Sequence, residues 1–188
     1  MNNEIKNFVA ENNIELKKVN VLAGPIHEGH AYNAEVWHDG MQIAHISDDG
    51  NGGMLMIDDH GHEVEYGKLE DKLQDANIVW FTSTFNGKDV ILNMEGLFGE
   101  MFDEHMVAKE WKAKTRTKVF VQTDDCGDGE YYIYKRLYKV SDKKNNLRWE
   151  MALMDSLQTR FGFDKINDIK GIRSMDWATY RPVAKATA

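Results

Sequence analysis

The sequence contains little cysteine and little proline, with 1 Cys and 2 Pro among 188 residues. A single cysteine cannot close an intramolecular disulfide, which excludes the disulfide-rich class of secreted domains. The chain also lacks a run of about 20 apolar residues, the length that a membrane-spanning helix requires. Its N-terminal segment lacks the basic and apolar regions of a signal peptide. We therefore expect a cytoplasmic protein with no membrane segment.

Sequence motifs of the common catalytic classes are missing as well. No serine lies in a G-x-S-x-G elbow, and neither glycine-rich phosphate-binding pattern occurs. Cys126 lies among aspartates, whose negative charge disfavours the thiolate that a nucleophile requires. The sequence thus assigns no catalytic residue and favours a protein that is not an enzyme.

The composition is that of an ordinary globular protein, with 42% apolar and 29% charged residues. Because it has 8 Phe, 7 Tyr, 5 Trp and 10 Met, a core can form without disulfides or a structural metal. No internal repeat or linker occurs, so we expect a single domain spanning residues 1–188, with a possible seam near residues 85–93. Strands and helices do not alternate regularly, which predicts an α+β fold with an antiparallel β-meander packed against several helices.

The clearest local signal is a β-hairpin. Two stretches of alternating polarity, 32–38 and 41–46, flank Asp39-Gly40, a pair that favours a two-residue type I′ turn. Counting outward from the turn places Val36 opposite Ile43, and we expect that face to be buried. The glycine-rich segment 48–53 then leads into a third strand, 54–57.

Apolar spacing also predicts helices at residues 3–12, 63–75 and 145–161. The same spacing also predicts a longer helix that ends at Lys114. It begins at about Asp89 or, if Asn86-Gly87 closes a second hairpin into residues 90–92, at about Asn93. In the last helix, the predicted buried stripe is Leu147, Met151, Met154 and Phe161.

Charge is divided unevenly along the chain. Residues 1–105 contain 6 Lys and Arg against 20 Asp and Glu, whereas residues 106–188 contain 17 against 11. The first part therefore has a net charge of -14 and the second a net charge of +6. Such a division is explained either by acidic and basic elements that face each other or by a surface that meets a charged partner.

Two glycine-flanked loops contain paired histidines. The possible metal ligands are His27, His30, His60 and His62. Neutral imidazoles can bind a divalent metal if the two loops meet, although neither spacing is a specific zinc motif. Exposed loop histidines without a metal are the alternative.

A segment rich in basic and aromatic residues covers positions 111–139. Its possible binding residues are Trp111, Lys112, Lys114, Arg116, Tyr132, Tyr134, Arg136 and Tyr138. On a strand, the last four share one face, where aromatic rings can stack on bases and cations can neutralise phosphates. The alternative is a sheet face covered by a helix, with tyrosine hydroxyls at its rim.

The hairpin Asn33-Ala34-Glu35-Val36 through Asp39-Gly40, followed by Asp48-Asp49-Gly50-Asn51-Gly52-Gly53, resembles small uncharacterised proteins of bacteriophage type. The resemblance covers about half of the chain and carries no catalytic residues. It implies a phage-encoded accessory protein in the bacterial host cytoplasm.

The sequence is consistent with three hypotheses about function. The first is a binding protein that engages and inhibits or redirects a host factor, such as an antiviral defence protein, with acidic residues that mimic nucleic-acid charge. The second is a metal-dependent hydrolase or nuclease that uses the histidine loops and acts on a nucleotide or nucleic acid. The third is a nucleic-acid-binding module that uses residues 111–139.

Overall fold

The computed structural model describes residues 1–21, 31–127 and 129–177. The chain divides into two compact units, Met1–Met106 and Val107–Ala188. The fold is α+β, as the sequence predicts. The described helices are α1 (Asn3–Glu11), α2 (Glu63–Ala76), α3 (Met94–Lys114) and α4 (Lys143–Arg160). The described strands are β1 (Ile14–Val21), β2 (Tyr32–His38), β3 (Met41–Asp48), β4 (Met56–Asp58), β5 (Val79–Thr82), β6 (Asp89–Ile91), β7 (Lys118–Thr123), β8 (Tyr132–Lys135) and β9 (Ile166–Lys170).

Unit 1 contains an antiparallel meander with the strand order β1-β2-β3-β4. Asp39 and Gly40 both have positive φ, at 50° and 80°, as a type I′ turn requires. The predicted face is buried, since neither Val36 nor Ile43 is exposed. The predicted pairing of these two residues is wrong, because Ile43 is an extra residue in a β-bulge and Val36 pairs with Ala44 instead.

The core of unit 1 lies between this sheet and helices α1, α2 and α3. Helix α1 buries Ile5 and Phe8, and the Asn2 side chain caps its N-terminus by accepting a hydrogen bond from the Ile5 N–H at 2.9 Å. Helix α2 buries Leu69 and Leu73, whereas α3 buries six residues in its first three turns. These side chains form one cluster with the inward residues of β2 and β3.

The second hairpin, which the sequence left as an alternative, is present. Strands β5 and β6 pair with each other, and Thr82 lies opposite Asp89. A helix that begins at Asp89 is therefore wrong, and the later start is confirmed. The Asn93 side chain accepts a hydrogen bond from the Gly96 N–H at 2.8 Å and so caps the beginning of α3.

Unit 2 contains a three-stranded antiparallel sheet with the order β8-β7-β9, and α4 packs on one face of it. The C-terminal segment docks on this unit, because β9 pairs with β7 and Ile172, Met175 and Trp177 pack against the second core. The predicted stripe of α4 is wrong in part. Leu147 and Met151 are exposed, and the buried positions are Asn146, Glu150, Leu153, Met154 and Leu157.

The change of charge sign in the sequence coincides with the boundary between the units. The acidic part ends at residue 105 and unit 1 ends at Met106. Each unit thus carries its own net charge, which the overall composition conceals. The single domain 1–188 stays a prediction, and the expected seam near residues 85–93 falls inside unit 1. No helix in the described ranges is both long and apolar enough to cross a membrane.

Candidate functional site

The predicted four-residue row on β8 is wrong in part, because the strand ends at Lys135 and Tyr138 is exposed beyond it. The side of β8 that carries Tyr132 and Tyr134 faces α4. Tyr132 and Tyr134 are half-buried and pack against the second core, beside Val119 and Val121 of β7. Arg136 directly follows the strand and is buried, at 6% exposure. The row therefore adopts the arrangement of a sheet face covered by a helix.

Tyr132 is held at the edge of this core by polar contacts. Its ring packs against Phe161, and its hydroxyl donates a hydrogen bond to Asp125 Oδ2 at 2.8 Å. That bond raises the pKa of Tyr132, while hydrogen bonds from the Thr123 and Tyr132 hydroxyls lower the pKa of Asp125. The Tyr134 hydroxyl is buried without a hydrogen-bond partner among the described residues.

Arg136 belongs to a buried polar network that joins α4 to the C-terminal segment. Its guanidinium lies 2.7 Å from Glu150 Oε1, and it also donates to Asn146 Oδ1 and to the Gly171 carbonyl. Glu150 has no exposed surface and accepts hydrogen bonds from the backbone N–H groups of Arg173 and Ser174 as well. Arg136 Nε is buried without a hydrogen-bond partner among the described residues, but the ion pair with Glu150 and the other two bonds hold the guanidinium inside the unit, so the role of Arg136 is structural.

Gly171 occupies a position in this network that only glycine suits. Its φ is +103°, and an added Cβ would lie 2.8 Å from the Lys118 carbonyl oxygen. Because glycine has no Cβ, the backbone at Gly171 can pass close to the Lys118 carbonyl as the chain leaves β9 and enters the polar network.

The opposite face of the unit 2 sheet is its outer face, and it carries both aromatic and basic side chains. The Trp111 ring meets the rings of Phe120 and Tyr131 edge to face, with centroids 5.0 Å and 5.4 Å away. Lys114 and Lys170 place their ammonium groups 5.3 Å and 4.7 Å from the Trp111 ring centroid. Phe120 is buried beneath this cluster, whereas Trp111 and Tyr131 remain half-exposed.

Lysines also line this outer face along the strands. Lys118 of β7 lies directly opposite Lys135 of β8, and both side chains are exposed. Neither forms an ion pair with any residue that the structure describes. In contrast, Lys114 pairs with Glu110 at 2.5 Å, and Lys170 pairs with Asp168 at 3.2 Å. Ile133, which is 57% exposed, lies beside Lys135 and opposite Phe120.

The predicted binding residues are thus divided between different surfaces. Trp111 and Lys114 contribute to the outer face, and Tyr132, Tyr134 and Arg136 lie on the covered face. Lys112, Arg116 and Tyr138 are exposed but make no ring or ion-pair contact with that cluster in the described part of the chain.

The sequence prediction places the binding residues of β8 on the side that the structure covers, and it does not include Lys135 and Lys170 of the outer face. Side chains on a strand alternate between two faces. In the sequence, residues 132, 134 and 136 form as regular a row as residues 131, 133 and 135, so alternation does not show which row is exposed. Helix α4 covers one of these two faces, and the sequence predicts the wrong buried residues for part of that helix. The signal for the covered side lies on β7, where the aliphatic Val119 and Val121 share one face and lie opposite Tyr134 and Tyr132.

The histidine loops are described only in part. His27 and His30 lie outside the described residues. The His60 side chain is 93% exposed, and its Nδ1 atom lies 3.3 Å from Asp58 Oδ1. His62 directly precedes α2. No group of three or more histidine, cysteine or acidic side chains within the described ranges is placed to hold a metal ion. The four-histidine metal site stays a prediction.

Comparison with known proteins adds no relative to this description. No protein-family model matches the chain, and neither a curated protein nor a solved structure matches it.

Proposed function

We propose that the protein binds single-stranded nucleic acid on the outer face of the unit 2 sheet. One observation carries the proposal: Lys118 and Lys135 are held directly opposite each other without an acidic partner among the described residues. Like charges at directly opposite positions of a sheet destabilise it. A phosphate backbone that lies across this pair removes the repulsion and gains two ionic contacts.

The surroundings of the lysine pair suit nucleic acid. Phosphates contact cations, and unstacked bases need an apolar or aromatic surface close to those cations. Ile133, Tyr131 and Trp111 supply that surface on the same face. Because the +6 charge is confined to the second part of the sequence, the overall pI near 5.4 does not describe the surface that nucleic acid would meet.

The salt dependence of binding provides the test. The full chain is titrated against a fluorescent single-stranded oligonucleotide at several salt concentrations, with anisotropy as the readout. The double variant Lys118→Gln/Lys135→Gln removes two phosphate contacts. We expect the slope of log affinity against log salt to become shallower by about 1.4, at about 0.7 per contact with single strands.

A matched control is available on the same unit. Lys143 and Lys144 are exposed at the beginning of α4, the helix that packs on the covered face of the sheet. Lys143→Gln/Lys144→Gln removes the same charge but should leave the slope nearly unchanged. Equal losses in both double variants would show that net charge alone attracts the nucleic acid, and a chain that does not bind at low salt would reject the proposal.

A second function is favoured by the acidic unit. Unit 1 carries the -14 charge and exposes aromatic side chains on the β5–β6 hairpin, with Phe81 at 49% and Phe85 at 96% exposure. Acidic surfaces with an exposed aromatic anchor suit a basic protein partner. In the phage-type interpretation this partner is a host factor, such as an antiviral defence protein, that the chain inhibits or redirects.

Variants separate the two functions. A tagged full chain is used to capture proteins from a bacterial lysate at low salt, and any partner is then tested with purified components. Phe81→Ser/Phe85→Ser should abolish capture, while Lys118→Gln/Lys135→Gln should retain it. A partner that survives the hairpin substitutions, or the capture of none, would contradict this second function.

A further inference from the structure

Unit 1 contains a cavity of about 330 Å³ with aromatic and acidic walls. Tyr32 and Trp80 supply its rings, and four carboxylates line it, those of Asp48, Glu95, Glu100 and Asp103. No lysine or arginine lies among the described lining residues. The cavity therefore combines acidic side chains with aromatic surface, and one of its carboxylates, that of Glu100, is already paired with the Met1 ammonium group, 3.2 Å from Glu100 Oε2.

The rings are held in place by their neighbours. Tyr32 stacks in parallel on Phe102, with ring centroids 3.5 Å apart, and only 4% of the residue is exposed. The Trp80 indole N–H donates to Glu100 Oε1 at 2.8 Å, and its ring packs closely over Gly96. Gly99 leaves space beside these rings, because a Cβ there would have no atom of the described residues within 4 Å. The aromatic walls are thus preorganised around an open volume.

The hydroxyl of Tyr32 has no hydrogen-bond partner within the described ranges, although its residue is buried and lines the cavity. Burial, together with the charges of Asp48, Asp103 and Glu95, raises the pKa of Tyr32 to about 12. The hydroxyl therefore stays protonated and keeps lone pairs that can accept a hydrogen bond from a ligand.

The carboxylates differ in what they already bind. Glu95 accepts a hydrogen bond from the Leu55 N–H at 2.9 Å, and Asp48 accepts one from the Gly50 N–H at 2.6 Å. Asp103 forms no hydrogen bond or ion pair with another described residue. The cavity thus offers one unpaired carboxylate beside one unpaired hydroxyl.

The class of ligand follows from size and geometry. No three acidic side chains of the described part come together closely enough to ligate one metal ion. An organic cation fits better, because its charge can face the carboxylates while its alkyl surface lies on Trp80. Its N–H groups can donate to Asp103 and Tyr32 in charge-assisted hydrogen bonds.

We propose that this cavity is a binding site for an alkylammonium or guanidinium group. The group belongs either to a small amine or to a lysine or arginine side chain of a protein. All described lining residues of the cavity belong to unit 1 and none takes part in the proposed nucleic-acid surface of unit 2, so either proposal can fail without the other.

The test uses the full chain and simple probes. Calorimetric titrations are carried out with n-butylammonium, n-butylguanidinium and an arginine-containing peptide with blocked ends, and with butanol and Mg²⁺ as comparisons. Saturable binding of a butyl cation supports a small-amine ligand. Binding of the peptide alone supports a protein side chain. Failure of all three cations, or equal binding of butanol or Mg²⁺, would overturn the proposal.

Substitutions locate the site. Asp103→Asn should weaken cation binding about tenfold through the loss of one charge-assisted hydrogen bond. Asp71→Asn is the matched control, because Asp71 is exposed on α2 and does not line the cavity. Gly99→Leu should also weaken binding, since its side chain enters open space in the cavity. Unchanged affinity in both cavity variants would place the cation elsewhere and reject the site.

Discussion

Removal of the Glu150 carboxylate tests the buried polar network of unit 2. Glu150 has no exposed surface, and its ion-pair partner Arg136 has 1% of its side chain exposed. Glu150→Ala leaves the guanidinium buried without a counter-charge. It also removes the acceptor for the backbone N–H groups of Arg173 and Ser174. Unit 2 should therefore lose much of its stability.

The magnitude follows from the burial of the pair. Removing one partner of a buried ion pair costs about 3–5 kcal/mol, because the remaining charge is uncompensated. Arg136→Met/Glu150→Leu removes both charges, so its cost should be smaller than that of Glu150→Ala alone. This non-additivity distinguishes an ion pair from two independent side chains.

Hydrogen exchange of the full chain measures the effect locally. In Glu150→Ala, amides of β9 should exchange about a hundred- to a few-thousand-fold faster, which corresponds to the same free-energy loss. Glu110→Ala is the control, because its pair with Lys114 is exposed and should contribute only about 0.2–0.5 kcal/mol. A change below tenfold in β9 of Glu150→Ala would refute the reasoning, as would a double variant less stable than the single one.

Two further predictions concern unit 1. Gly96→Ala should destabilise it by about 1–3 kcal/mol, because the new Cβ would lie 3.0 Å from the Trp80 ring. At Gly99→Ala the new Cβ meets no atom of the described residues within 4 Å, so this variant should stabilise α3 by up to about 1 kcal/mol. Urea titrations of both variants check this pair, and equal effects would contradict it. Burial raises the pKa of both Tyr32 and Tyr66 to about 12, so the folded state retains protons that the unfolded state loses above pH 10. The free energy of unfolding should therefore fall between pH 10 and pH 12. Tyr32→Phe should reduce that fall, and an unchanged pH dependence in this variant would show that Tyr32 does not contribute.

Local signals predicted much of the secondary structure. The Asp39-Gly40 turn, the start of α1 and the strands of the meander depend on positive φ, end capping and alternation, which involve neighbours in the chain. The register of the first hairpin could not be obtained in this way. The bulge at Ile43 lets Ala44 pair with Val36, and alternation by itself does not mark an extra residue.

The site was harder to predict because each of its elements has two faces. Leu147 and Met151 are apolar and correctly spaced, yet the buried face of α4 includes Asn146 and Glu150. Polar residues are favourable there only because Arg136 and the backbone around Arg173 supply hydrogen bonds. These partners are distant in sequence, so composition gives no indication of them.

The sequence by itself determined the α+β class, the change of charge sign after residue 105, the four described helices and the strands of the first hairpin, since these depend on local propensity and on counts. Only the tertiary structure decided which side of β8 faces solvent, and with it that Lys118 and Lys135 lie opposite each other. It also brought Tyr32, Trp80 and Asp103 to one cavity. The physical reason is that a side chain becomes buried or exposed through segments far away in the chain, which pack on one face of an element and leave the other open.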